Sequence, residues 1–247
     1  MNIGGKIIRF SSLPSTNDLA KELAARGEQE GTVVIADEQT KGRGRRGRSW
    51  YSAPKLGLYV SVILRPQRSE LSLLPLISGL AVREFLSEKF DLNLRLKWPN
   101  DIVWEGKKLG GLLLESCFSG STPVYAILGI GLNVGHSFDD FPPELREQAI
   151  SLRLACGRDV TPDELLPLLW PRLNSWYEVF LERRDEMIVR TFETNHLFAR
   201  DEEIKVEVEG RVIQGRLAGF NLEGALCLIT PQGKMSFPVG EVSLKKA

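Results

Sequence analysis

The sequence predicts an α+β fold: a mixed or mostly antiparallel sheet with helices, followed by a small β module. Three observations predict it. Helical periodicity and runs rich in β-branched and aromatic residues are interspersed over the first two hundred residues. Two of the strand-like runs face each other across a turn at Glu105-Gly106. From Glu203 the pattern changes to short alternating strands with glycine turns and no helix. A length of 247 residues, 43% hydrophobic and 26% charged, suits one large domain, or a medium domain plus a small one, with a sizeable core.

In chain order, PSTNDLAKELAARGE reads as a first helix. Ser15 or Thr16 can cap it, Leu19, Leu23 and Ala24 give an apolar stripe, and Gly27 can end it. TVVIADEQT is a buried strand running into polar residues, and GLYVSVIL is a second strand. Glu70 to Phe90 is mainly helical, with Leu73, Leu76, Ile77, Leu80 and Leu86 available to the core. LRLKWPNDIVWEGKKLGGLLLES gives two strands around the Glu105-Gly106 turn, and VYAILGIGLNV another. Residues 162 to about 198 are helical, with Pro171 expected to break them into pieces. The β module after Glu203, of roughly 45 residues, is a small barrel or sandwich, too small to be robust alone, and is expected to pack on the main domain.

The bulk numbers exclude several classes. Basic and acidic residues number 32 each, so a chain devoted to coating DNA is not indicated. No apolar run reaches the ~18 residues of a membrane span, and MNIGGKIIRFSS lacks the features of a signal peptide. Cys117, Cys156 and Cys227 are widely spaced without CxxC, as expected of reduced thiols in a cytoplasmic protein. His136 and His196 stand far apart without a metal motif, so no metal-ligating residues are expected.

The densest charge lies in KGRGRRGRSW, Lys41 to Trp50. Gly42 to Ser49 approaches a P-loop pattern with Arg48 in the lysine position. A P-loop needs a strand leading in and a helix leading out, and here DEQT precedes while WYSAPKLGLYVSV follows. The residues leave three readings: nucleic-acid binding, a solvated charged hairpin, or a loop that gathers charge around a small anion. In the last, glycines allow close backbone approach and arginines supply forked donors. Such a loop would be mobile when empty, because its five positive charges repel. Three companions accompany it: KWPND at Lys97–Asp101, GKKLGG at Gly106–Gly111, and GIGLNV at Gly129–Val134, whose strand glycines suggest close approach of a ligand or backbone.

Taken in order, STN at Ser15–Asn17, DEQTKGRGRRGRSW, KWPND, KKLGG and GIGLNV closely resemble the biotin protein ligase family. The resemblance runs in register from Ser15 through Val134, weakens in the later helices and returns in the β module with its GEVSL ending. It implies a class II synthetase-like, lipoate–biotin ligase core plus a C-terminal SH3-like barrel: residues 1–200 as the biotin- and ATP-binding catalytic domain, 201–247 as the small domain. It implies biotinoyl-5′-AMP formation from biotin and ATP, with Mg2+ held mainly by the phosphates. Transfer to a lysine of a biotin carboxyl carrier domain follows. By similarity, Ser15, Thr16, Asn17 and Gln39 contact the biotin head group, while Arg43, Gly44 and Arg45 cover biotin and phosphate. Lys108 reaches the biotin carboxylate and the α-phosphate and, with Arg45 and Arg48, carries the catalysis. Arg48 and Lys97 neutralise phosphates. Trp50, Asn100 and Asn133 contact adenosine, and Asp101 orients Lys108 or a magnesium-bound water. The biotin wall is expected from GGLLLE.

Two departures from the family pattern stand out. No winged helix precedes the first helix, so a form lacking the N-terminal DNA-binding domain is expected, with no DNA binding. Lys245 stands where relatives often carry arginine, so a forked contact from the small module would become a point charge. A homodimer is possible by analogy with relatives. The rivals are a lipoate or octanoate protein ligase, whose usual RRxSGGG loop pattern is absent, and a nucleic-acid-binding regulatory module.

Overall fold

The computed structural model describes residues 2–208, 210–239 and the strand 242–246. The elements run β1 (Lys6–Phe10), α1 (Thr16–Ala25), β2 (Thr32–Ala36), β3 (Gly57–Leu64), α2 (Leu74–Phe90), β4 (Arg95–Lys97), β5 (Asp101–Trp104), β6 (Lys107–Ser119), β7 (Thr122–Asn133), α3 (Leu152–Cys156), α4 (Pro162–Leu181) and α5 (Asp185–Thr194). Five short strands follow: β8 (Glu203–Val208), β9 (Arg211–Phe220), β10 (Leu226–Thr230), β11 (Gly233–Phe237) and β12 (Val242–Lys246). The first seven strands form one sheet in the order β1-β2-β3-β7-β6-β5-β4, with only β1 and β2 parallel. The last five form an antiparallel sheet, β11-β10-β9-β8-β12, which is the expected SH3-like module.

The period of two along β3 divides the molecule. Leu58, Val60, Val62 and Leu64 face the large core with α2 and α4, while Ile63 joins the smaller cluster under α1 with Leu13, Ala20 and Ala24. Ser61 lies on that same α1 face. The first helix starts as expected, capped by Ser15, whose hydroxyl accepts from Asp18 N. Its buried residues are Thr16, Asn17, Ala20 and Ala24, with Leu19 and Leu23 packed only partly.

Three expectations change. The second helix begins at Leu74, four residues after Glu70, and all five expected core leucines and isoleucines are buried. KWPND splits the first strand of its hairpin in two: Trp98–Asn100 form a turn with a cis Trp98-Pro99 peptide, so β4 and β5 are separate strands. Pro171 does not break the third helical region. α4 runs through Pro167 and Pro171 to Leu181, and the break falls at 182–184. An interior proline costs about 3 kcal/mol, but Leu165, Leu169, Leu173, Trp176, Tyr177 and Phe180 bury a full stripe against α2, which outweighs it.

The small module is welded to the main sheet. Phe220 packs edge-on against Phe192 at 5.3 Å and against His196 at 5.1 Å, and Ser72 Oγ donates to Glu223 O at 2.7 Å. Trp98 is buried and its indole donates to Gly224 O at 2.9 Å. Gly224 has φ of +76°, and a Cβ there would sit 2.9 Å from Leu73, so glycine alone suits this junction. Gly240 and Glu241 of the GEVSL ending lie outside the described residues. No helix among the described residues is long and apolar enough to cross a membrane.

Both histidines are buried. Trp98 N donates to His196 Nε2 at 3.2 Å, so that nitrogen is unprotonated and Nδ1 faces Phe198 O at 3.0 Å. Burial lowers the pKa of His196 to about 4, against a smaller upward effect of the Phe198 carbonyl. Burial likewise lowers His136 to about 4, and neither of its ring nitrogens has a hydrogen-bond partner among the described residues. Each folded pKa lies below the unfolded one, near 6.5. The unfolded chain therefore binds more protons below pH 6.5, and stability falls as pH drops from 6.5 towards 4. At pH 5 the expected loss relative to pH 7.5 is roughly 2 kcal/mol per histidine. Urea unfolding at the two pH values checks this, and equal stabilities would contradict it.

Candidate active site

The sheet register builds one row of small and polar residues on the α1 face. Tyr59 pairs with Gly131, Gly131 with Gly111, Gly111 with Asp101, and Asp101 with Lys97. One step along, Ser61 pairs with Gly129 and Gly129 with Leu113. The strand glycines leave room for side chains. A Cβ on Gly129 would lie 2.4 Å from Asn17 Oδ1, and one on Gly131 would lie 2.8 Å from the Trp50 indole. The expected close approach is thus made by Asn17 and Trp50 themselves. Gly129→Ala should cost about 1–3 kcal/mol of stability by overpacking, read from the urea midpoint. An unshifted midpoint would refute the contact.

A bulge brings Lys108 to this face. Ile102 pairs with Gly110 but Val103 pairs with Lys108, so Leu109 is the extra residue on β6. Strict alternation from Gly111 would put Leu109 on the site face and Lys108 in the core. The bulge sends Leu109 into the large core and Lys108 to the site. Lys108 Nζ lies 2.6 Å from Asp101 Oδ1 and 5.3 Å from the centre of a Trp50 ring. Its backbone is fixed from outside: Lys108 N donates to Gln148 O at 2.7 Å and Ile150 N donates to Lys108 O at 3.0 Å. Asn133 Nδ2 donates to both Lys108 O (3.3 Å) and Ile150 O (3.1 Å), so this side chain clamps the segment carrying Lys108.

Polar side chains line the α1 end. Thr16 N and Oγ1 donate to Gln39 Oε1 at 2.8 and 3.0 Å, and Gln39 Nε2 donates to Ser52 Oγ at 3.0 Å. Ser61 Oγ lies 2.8 Å from Thr16 Oγ1 and 2.5 Å from Asn17 Oδ1. Asn17 Nδ2 donates to Glu115 Oε2 at 2.8 Å. Glu115 also receives Lys21 and Arg43, each at 2.6 Å. Burial pushes the Glu115 pKa up, but the bonds from Lys21 and Asn17 and the charges of Lys21 and Arg43 outweigh it, leaving it lowered.

The arginine loop is a folded hairpin over this row. Gly44 N donates to Arg48 O at 2.7 Å and Trp50 N to Gly42 O at 2.9 Å, with a tight turn at Arg46 (φ 58°) and Gly47 (φ 69°). Mutual repulsion is relieved by partners. Arg43 meets Glu115 and Asp18, and Arg45 Nη1 donates to Asn100 Oδ1 at 3.0 Å. Arg46 Nη2 donates to Glu207 O at 3.4 Å, so the loop also touches the small module. Burial lowers the pKa of Arg45; Asp101 opposes this, while Arg46 and Arg48 add to it.

These pieces enclose a cavity of about 570 Å3. Every site residue expected from the sequence lines it: Ser15, Thr16, Asn17, Gln39, Arg43, Gly44, Arg45, Arg48, Trp50, Lys97, Asn100, Asp101, Lys108 and Asn133. Gly111, Leu112 and Leu113 from GGLLLE line it as well. Ser61 and Glu115, which do not line the cavity but bond to Asn17 in its wall, are not among the residues expected from the sequence. A hydroxyl inside the buried strand GLYVSVIL and a carboxylate closing GGLLLE were the available signals. The Gln148–Ile150 segment is likewise absent from those residues, because its part is played by backbone atoms. Among the described residues no three His, Cys, Asp or Glu side chains group to hold a metal.

A two-sided sheet carrying a lysine, a carboxylate and an arginine hairpin over one cavity makes a site for an anionic ligand. Residues 9–133 match the model of the biotin/lipoate A/B protein ligase family, and the chain belongs to that family. Among its relatives, it is 32% identical over 233 residues to the bifunctional ligase/repressor BirA of Bacillus subtilis, covering 94% of this chain and 71% of that protein. It is 32% identical to the biotin--[acetyl-CoA-carboxylase] ligase of Paracoccus denitrificans, covering 92% and 96%. The biotin protein ligase from Aquifex aeolicus in complex with biotin and ATP superposes with a TM-score of 0.85 at 33% identity, covering 98% of this chain and 100% of that one.

Proposed function

We propose that this chain is an ATP-dependent biotin protein ligase that forms biotinoyl-5′-AMP and then passes biotin to a lysine of a carboxylase carrier domain. The observation that carries the reading is the single cavity that gathers Lys108, Asp101, the arginine hairpin and the Thr16–Gln39–Asn17 wall. A carboxylate that attacks a polyphosphate meets like charge, so the protein's work is positioning and neutralisation. Lys108 is the central cation, held at 2.6 Å by Asp101 and able to turn from it to the biotin carboxylate and the α-phosphate. Arg45 and Arg48 neutralise charge above it and Lys97 beside it. Mg2+ bound with the nucleotide would supply further neutralisation at the phosphates; Asp101, 2.6 Å from Lys108, serves it as orienting partner.

The head group lies against Ser15, Thr16, Asn17 and Gln39, and the adenosine against Trp50, Asn100 and Asn133. Arg43, Gly44 and Arg45 cover the join. The mixed anhydride is prone to hydrolysis, so a cover that excludes water until the acceptor lysine arrives is part of the catalysis. The reading extends to a cytoplasmic location and a homodimer and includes no DNA target. The test is exchange of labelled pyrophosphate into ATP with biotin, with lipoate and with no acid. Biotin alone should support it. Exchange with lipoate instead would move the chain to the other branch of its family, and none with either acid would defeat the proposal.

A further inference from the structure

We propose that Glu115 is a positioning residue for adenylate formation, tying the head-group wall to the arginine hairpin. The inference rests on the ligase reading and adds a residue to it. One oxygen, Oε2, accepts from Asn17 Nδ2 at 2.8 Å and from Arg43 Nη2 at 2.6 Å, while Oε1 takes Lys21 Nζ at 2.6 Å. The wall and the hairpin come from segments far apart in the chain, and Glu115 on β6 is the carboxylate shared by both.

Its effect on Asn17 is directional. An amide can face either way, and a carboxylate accepts only from the nitrogen end. Glu115 therefore turns Asn17 Nδ2 towards itself and leaves Oδ1 for Ser61 at 2.5 Å. Ser61 then donates to Asn17, Thr16 Oγ1 supplies the next hydroxyl at 2.8 Å, and Gln39 Oε1 is held by Thr16. The sense of the Asn17 amide and of the Ser61 hydroxyl follows from that one charge, while Gln39 is oriented by the Thr16 backbone N–H. Arg43 is held by its Nη2 edge, and its Nε is buried without a partner among the described residues, on a side chain that lines the cavity. Without Glu115, Arg43 keeps only Asp18, whose carboxylate is half exposed.

Glu115→Gln keeps the size, removes the charge and lets Asn17 turn over. Biotin KM in pyrophosphate exchange should rise about tenfold or more, the scale of a lost charge-assisted bond. ATP KM should stay within about twofold, since the contacts lie at the head-group end. Glu115→Asp keeps the charge but withdraws it by a methylene, and should raise biotin KM about fivefold or more; it carries the test if the Gln variant does not fold. In an Arg43→Ala background Glu115→Gln should add less than in the wild type, because only its hold on Asn17 is then left to lose. An unchanged biotin KM in the folded variants, a parallel rise in both KM values, or full additivity with Arg43→Ala would each overturn the role. Absence of biotin-dependent exchange in the wild type would instead defeat the ligase reading itself.

Discussion

Lys108→Ala is expected to lower biotin-dependent pyrophosphate exchange by about 10²–10³-fold, the usual consequence of removing one preorganised charge from a developing anionic centre. The fold should survive. Lys108 contributes its side chain to the ion pair with Asp101 and to the face of Trp50, whereas the β6 bulge that aims it is made by backbone pairing and by buried Leu109. The loss should appear in the rate of exchange rather than in the thermal midpoint. It should persist at saturating biotin and ATP, because the cation acts on the transition state as well as on binding. Lys108→Arg retains charge but loses the compact ammonium that fits beside Gly111, where a Cβ would already lie 3.3 Å from Nζ, so it should rescue only partly. Near-normal exchange in the alanine variant would remove Lys108 from the chemistry.

Arg45→Ala is expected to release the activated intermediate, with about a tenfold or greater rise in free biotinoyl-AMP during turnover and a raised apparent Kd for biotin. Arg45 is the hairpin's anchor to KWPND: its Nη1 donates to Asn100 Oδ1, and Asn100 in turn donates to Leu112 O at 2.6 Å. Cutting that link frees the Arg45 end of the cover from KWPND, while Arg43 still holds the other end to Glu115 on β6. Gly44→Ala separates cover from fold. Gly44 has φ of −114°, and an added Cβ would meet Arg48 O at an ordinary 3.5 Å, so the hairpin itself accommodates alanine. Leakage in Gly44→Ala would therefore report contact between this residue and the ligand. Rapid quench with chromatography of the adenylate reads both variants, and unaltered retention in Arg45→Ala would contradict its role as anchor.

Several parts of this site were legible in the sequence because they depend on residue type at fixed spacing. The β-branched and aromatic content of GLYVSVIL gave β3 to the residue, Glu105-Gly106 gave the hairpin turn, and the motifs named the residues that line the cavity. What escaped was set by long-range pairing. The register slip at Leu109 that aims Lys108 leaves no trace in KKLGG, since two lysines before two glycines fit either face. The passage of α4 through Pro171 depends on a partner surface on α2 that no local pattern reports. The repulsion expected among the loop arginines ignored Glu115, more than sixty residues away in the chain and 2.6 Å away in space. Asn133 reads from its motif as a ligand contact, and its amide in addition pins the carbonyls of Lys108 and Ile150.

The central claim is that the Arg-Gly hairpin covers an activated acid held over the glycine row of the sheet. A crystal structure of this chain with biotin and a non-hydrolysable ATP analogue tests it most directly. The account predicts both molecules in the cavity between the hairpin and β6–β7, with Lys108 turned from Asp101 to the space between carboxylate and α-phosphate and Arg45 closed over them. Biotin and nucleotide bound outside that cavity, or bound within it with Lys108 still on Asp101 and the hairpin making no contact, would contradict it.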